Sequence, residues 1–198
     1  MAGFIYEAIF IPEGVEPPPK SIINQPDLQV YIKNFGEEKD DICYNYKKHR
    51  GNIMKIEKAK NLFGRKFNCS QAVFSAFAQE LGITEEQALK IGACFGSGMR
   101  KGEVCGACTG ALMALGLKFG QSNENDMDSR MKTNEVTDRF LDEFKKENGS
   151  YICNELLGCD ITTMEGVGFA IEKNLFTEFC PKMVTSATRI AESIINAE

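Results

Sequence analysis

From Met54 onward the sequence carries one helix signal after another, and two of them are capping boxes. Asn68 is followed three residues later by Gln71, and Thr84 by Gln87. In such a pair the first side chain accepts an unpaired N–H of the new helix, and the second reaches back to the cap. After Asn68 comes an apolar stripe of Val73, Phe74, Phe77, Ala78 and Leu81, which Gly82 ends. After Thr84 a helix is expected to about residue 95. A short helix over residues 56–63 ends at Gly64. Residues 105–119 are apolar nearly all round, which predicts a central helix stopped by Gly120. Residues 125–148 form an amphipathic pattern with Met127, Met131, Phe140, Leu141 and Phe144 turned inward. Ser150 is placed to cap a short helix carrying Cys153, Leu156 and Leu157. Further helices are expected over residues 164–173 and from Pro181, a favoured first-turn residue, to about residue 196. Strand signals are few. The pattern predicts an all-α bundle of five to seven helices over residues 54–198.

The first 53 residues differ. They hold Pro12, Pro17, Pro18, Pro19 and Pro26, five of the six prolines. Residues 4–43 show no useful period, so residues 1–53 are expected to be a largely irregular or short-helical extension. The chain has 198 residues, is 26% charged and carries a net charge of -5. That balance argues against a nucleic-acid partner bound through basic charge. No run approaches the roughly 18 apolar residues of a membrane span, and no signal peptide is visible at Met1. A cytoplasmic protein without membrane insertion is expected, with its thiols reduced unless they do chemistry or hold metal.

The chain has eight cysteines against one histidine, so any metal site would rest on thiolates. Four cysteines fall at predicted helix starts: Cys69 after Asn68, Cys105 opening the central helix, Cys153 after Ser150, and Cys180 before Pro181. Helix N-termini offer free N–H groups and partial positive charge, which favour a thiolate. Cys105 and Cys108 form a C-x-x-C pair, able to close a disulfide or supply two metal ligands. Thr109 follows, so the haem-attachment pattern C-x-x-C-H is absent, and the context is not βαβ. The loop from Gly96 to Gly102 fits either an anion-binding nest of N–H groups or a tight connection. Cys94 is expected in the core, Cys159 as a spare thiol near Cys153, and Cys43 in the extension. His49 lies among Lys47, Lys48 and Arg50 and is expected to be solvated.

Four segments then agree in order and spacing with a known family. They are Asn68-Cys-Ser-Gln-Ala-Val, Val104-Cys-Gly-Ala-Cys-Thr-Gly-Ala, Cys153-Asn-Glu-Leu-Leu-Gly and Cys180-Pro-Lys-Met-Val. Together they resemble the C_GCAxxG_C_C family, whose members are described as redox-active, over residues 54–195. Its central motif is matched to Cys105-Gly106-Ala107 with Gly110, although the family label writes glycine before cysteine. The resemblance implies that Cys69, Cys105, Cys153 and Cys180 are the family cysteines; Cys94, Cys108 and Cys159 are extra to its pattern, and Cys108 or Cys159 could substitute as a metal ligand. Gly102, Gly106 and Gly110 are the glycines expected against a bound cofactor. A similar domain occurs in split-Soret-type cytochromes, which pair haems with an iron–sulfur centre. Without a haem motif, only the iron–sulfur part could carry over.

The extension has its own likeness. Phe4-Ile-Tyr-Glu-Ala-Ile-Phe-Ile-Pro-Glu-Gly, followed by Pro-Pro-Pro-Lys-Ser-Ile-Ile, resembles the start of certain GNAT-type acetyltransferases. The glycine-rich acetyl-CoA loop does not follow, so acetyl transfer is not expected. The apolar Phe4, Ile5, Ile9, Phe10 and Ile11 suggest packing on another surface, with a homodimer as one arrangement.

Four functions fit these residues. The first is electron transfer through an iron–sulfur cluster on Cys69, Cys105, Cys153 and Cys180, with an unidentified redox partner. The second is a metal-free thiol–disulfide protein with Cys105 as nucleophile and Cys69, Cys108, Cys153 or Cys180 resolving. The third is a structural zinc site of four thiolates. The fourth is an interaction module whose cysteines are core.

Overall fold

In the computed structural model, residues 39–197 are described, with burial and contacts given for Gly51 and from Ile53 onward. The acetyltransferase-like segment, its apolar residues, Cys43 and His49 lie outside what is described at side-chain level. The described residues are all-α, in eight helices. These are α1 (Lys39–Gly64), α2 (Cys69–Phe77), α3 (Glu85–Gly92), α4 (Gly106–Phe119), α5 (Met127–Asn148), α6 (Cys153–Leu157), α7 (Met164–Glu172) and α8 (Cys180–Ile195). The first ends at Gly64 as expected but begins at Lys39 rather than residue 56. The core and the site lie in the compact unit Met54–Glu198.

Both capping boxes form as the sequence predicts. Gln71 N–H donates to Asn68 Oδ1 at 2.9 Å, and Asn68 N–H donates to Gln71 Oε1 at 3.1 Å. The Thr84–Gln87 box closes in the same way. The first turn of α2 also serves α3. Ser70 Oγ donates to Gly92 O at 2.7 Å, Asn68 Nδ2 to Ala93 O at 3.0 Å and Gln71 Nε2 to Leu89 O at 2.9 Å. These carbonyls end α3 and have no partner within their own helix. One set of polar side chains therefore caps α2 and docks it against the end of α3.

The α4 helix is central, as its all-round apolar character predicts. It packs against α2, α5 and α8, with Ala107, Cys108, Ala111, Ala114 and Leu115 fully buried. From α5, Val136, Phe140 and Phe144 enter the core. Met127 and Met131, expected inside, are instead 51% and 60% exposed. At about 100° per residue, Met131 falls half a turn round the helix from Phe140. The inward stripe belongs only to the later turns. On the far side of the core, Lys55 Nζ of α1 bridges Glu192 of α8 at 2.7 Å and Glu80 at 2.5 Å. No helix among the described residues is long and apolar enough to cross a membrane.

Candidate functional site: a cavity lined by four thiols

Each of the four cysteines singled out above stands at a helix start. Cys69, Cys153 and Cys180 are the first residues of α2, α6 and α8, and Cys105 is the N-cap of α4. Two details differ from expectation. Ser150 does not cap α6: its hydroxyl accepts Ile152 N–H at 2.9 Å and donates to Glu155 at 2.6 Å, leaving Ile152 as the cap. Cys180 does not begin a free terminus. A wide turn over Leu175–Phe179 runs straight into α8, and Cys180 N–H already bonds Leu175 O.

Two devices bring the helix starts together. An isolated antiparallel bridge joins Val104 to Ile152, the residues just before Cys105 and Cys153. Cys105 N–H donates to Tyr151 O at 2.8 Å, and Cys153 N–H to Glu103 O at 2.7 Å. The sequence reading missed this pairing. Its only signal is a β-branched residue before each cysteine, the residue type that favours extended pairing. The second device is close helix contact at glycine. A Cβ on Gly110 would lie 2.6 Å from Ser70 O, and one on Gly106 would lie 3.1 Å from Cys69 Cβ. Only glycine there lets α4 press on the first turn of α2.

The result is one cavity of about 180 Å³ lined by Cys69, Cys105, Cys153 and Cys180. Much of the remaining wall is apolar, including Phe63, Leu157, Ile161, Phe176, Phe179 and Met183. Organic-ligand pockets commonly run to roughly 300–1,000 Å³, so this one suits a small inorganic group better. The partly buried Cys69 and the exposed Ser97 stand at its edge. Gly106 also lines it, whereas Gly102 and Gly110 pack on Asn154 and Ser70. Cys108 and Cys159 are not in the lining. Cys108 is fully buried in the main core beside Cys105, and Cys159 is partly buried next to the Cys153–Cys180 cluster. Cys94, expected in the core, is exposed, because the chain leaves α3 at Ala93 through a tighter turn.

The loop before Cys105 is a left-handed turn. Ser97, Gly98, Met99 and Arg100 all have φ between 54° and 63°. Three of these carry side chains, and left-handed backbone costs each about 1–2 kcal/mol. A Cβ on Gly98 would lie 2.5 Å from Glu103 N and 2.9 Å from Cys153 Cβ. The turn thus lies tight against the start of α6 at the rim of the cavity.

The thiols are driven apart electrostatically. The Cys108 thiol beside it, and then the Ala107 and Cys108 amides, pull Cys105 below its ordinary value, against the opposing effect of burial. No hydrogen bond from Cys105 formally caps α4, so these amides act on the sulfur as nearby dipoles. Cys69 is held well above its ordinary value, first by its Cys180 neighbour, then by burial, then by the charges of Cys105, Cys180 and Cys153. Burial, then the charges of Cys105, Cys180 and Cys159, push Cys153 up to about 12. Burial and Cys105 also hold Cys108 up. A helix start alone was expected to favour thiolate at all four. At Cys105 it only adds to the larger effect of the Cys108 thiol, while at Cys69 and Cys153 crowding and burial outweigh it.

Among the residues described at side-chain level, all seven cysteines are free, and no three His, Cys, Asp or Glu side chains form a group able to hold a metal ion. A helical bundle that gathers four thiols around one small cavity defines a helical cysteine-site protein. Residues 67–194 match the family described as "Putative redox-active protein (C_GCAxxG_C_C)", and the chain belongs to that family. No curated protein and no solved structure matches it.

Proposed function

We propose that Cys69, Cys105, Cys153 and Cys180 hold an iron–sulfur cluster and that the protein carries electrons. The observation behind this is the single cavity, lined by thiols from the starts of four separate helices. Four cysteine thiolates are the usual ligand set of [2Fe–2S] and [4Fe–4S] clusters. When bound, such a cluster supplies one-electron redox chemistry. The donor set fits it because a multi-iron core spaces its ligands around a volume.

The chain's own residues set the conditions. Phe63, Leu157, Ile161, Phe176 and Phe179 keep water from the cavity wall. The crowding that keeps Cys69 and Cys153 protonated is relieved when positive charge enters among them, so binding releases protons.

The test is anaerobic purification followed by iron and acid-labile sulfide analysis. The protein should be brown and hold both, and Cys→Ser at any of the four should lower its iron content. Colourless protein that takes up neither, even on anaerobic reconstitution, would overturn the proposal.

A further inference from the structure

Cys108 is outside the cavity yet placed against one of its four thiols. Cys105 is the N-cap of α4 and Cys108 the third helical residue. In this chain the N-cap and third positions meet twice more, as Asn68 with Gln71 and Thr84 with Gln87, each pair in side-chain-to-backbone contact. The same geometry turns a cap side chain over the third residue, and at α4 both positions hold thiols. Cys105 has the extended ψ of 134° that suits a cap. Side chains three apart on a helix have Cβ atoms about 5–6 Å apart, and a disulfide needs about 3.5–4.5 Å. Closure therefore needs only a small local shift within one turn. Cys69, Cys153 and Cys180 stand on other helices, so pairing with any of them would tie two elements together instead of closing within one turn. Cys108 is 0% exposed, so its only route to oxidation is through Cys105, which faces the cavity.

We propose that Cys105 and Cys108 form a peroxide-responsive disulfide that withdraws Cys105 from the four-thiol cavity. The oxidant is a hydroperoxide, small enough for a cavity of about 180 Å³. The Cys105 thiolate attacks one peroxide oxygen, the O–O bond breaks, and hydroxide leaves as Cys105 becomes a sulfenic acid. Cys108 then attacks the Cys105 sulfur, forming the S–S bond and releasing the sulfenic oxygen as water. Overall, two thiols lose two electrons and two protons, and one hydrogen peroxide becomes two waters. Cys105 is then no longer available as a ligand, so disulfide formation and cluster binding exclude one another. That exclusion rests on the cluster reading above, whereas the disulfide itself does not.

The experiment uses the full chain, reduced and cluster-free, treated with stoichiometric hydrogen peroxide, alkylated and digested with trypsin. Residues 102–118 form one tryptic peptide holding both cysteines. It should become two hydrogens lighter and lose alkylation at both positions, and a thiol reductant should restore it. A peptide still alkylated at both, or Cys105 linked instead to Cys69, Cys153 or Cys180, overturns the pair. In Cys108→Ala, or in Cys108→Ser if the first folds poorly, the same treatment should leave a sulfenic acid on Cys105 that a dimedone probe labels. An unlabelled Cys105 would count against the route. Mapped disulfide protein should take up no iron and sulfide until reduced. If it loads as fully as reduced protein, the exclusion is overturned. If even reduced protein takes up none, the cluster reading falls, and the peptide map still decides the disulfide.

Discussion

Cys105 and Cys69 occupy similar places, each at the start of a helix in the same core, yet their thiols are driven in opposite directions. The N-terminal dipole acts on both. Cys105 has a thiol neighbour whose proton lies toward it, whereas Cys69 faces the thiols of the other three helices. In reduced, cluster-free protein, Cys105 should therefore react with iodoacetamide before the other three site thiols, with a half-maximal rate below the pH usual for a cysteine. Cys69 and Cys153 should lag, and peptide mapping over a pH series measures the order. Equal rates at all four would show that Cys105 is not the distinct nucleophile. The sequence marked these four positions well, because caps and glycine stops mark helix starts locally. It could not rank their reactivity, which depends on the partners that the fold brings in from other helices.

At the scale of elements, the site depends on how closely α4 approaches α2. Gly110 and Gly116 lie on the same helix and give a controlled comparison. A methyl on Gly110 would meet Ser70 O and Cα, which cannot rotate away, while one on Gly116 would meet nothing within 4 Å. Replacing glycine by alanine inside a helix gains up to about 1 kcal/mol of propensity. Overpacking against fixed neighbours costs about 1–3 kcal/mol. Gly116→Ala should then stabilise the protein by about 0.5–1 kcal/mol, and Gly110→Ala should destabilise it by up to about 2 kcal/mol once the two effects are set against each other. Urea unfolding midpoints read both, and a gain at both positions would mean that the α2–α4 contact is loose. Helix order was legible because capping boxes, stripes and glycine stops are local. The inward face of α5 was legible only in part: Phe140 and Phe144 are in the core, while Met127 and Met131 lie out of phase with them. The Val104–Ile152 bridge was not legible, since pairing across 47 intervening positions leaves no local period.

Across the whole molecule, the cavity lies where two apolar clusters meet. A large core is built on α2, α4, α5 and α8, and a small one on Cys153, Leu157 and Cys180. Thiols collected there must keep their protons in the folded, metal-free chain, which ties stability to pH. Cys69, Cys153 and Cys108 titrate higher in the fold than a free cysteine does, Cys153 at about 12. A thiol in the unfolded chain ionises near pH 8.5. Above that value the unfolded chain binds fewer protons than the fold, so stability falls as pH rises. The fall continues until the folded thiols ionise in turn. Cys105 has the opposite sign: its contribution is complete above about pH 8.5 and is lost as pH falls through its lowered folded value. With Cys159 also raised by burial and the Asp160 charge, four raised thiols against one lowered one leave a net loss on the alkaline side. Urea midpoints of reduced, cluster-free protein should therefore decline steadily above about pH 8.5. Iron and sulfide uptake should flatten that decline, because ligating thiolates have no proton left to release. A flat alkaline profile in the metal-free protein would mean that the thiols do not crowd one another, and that the cavity is wetter than its apolar wall implies.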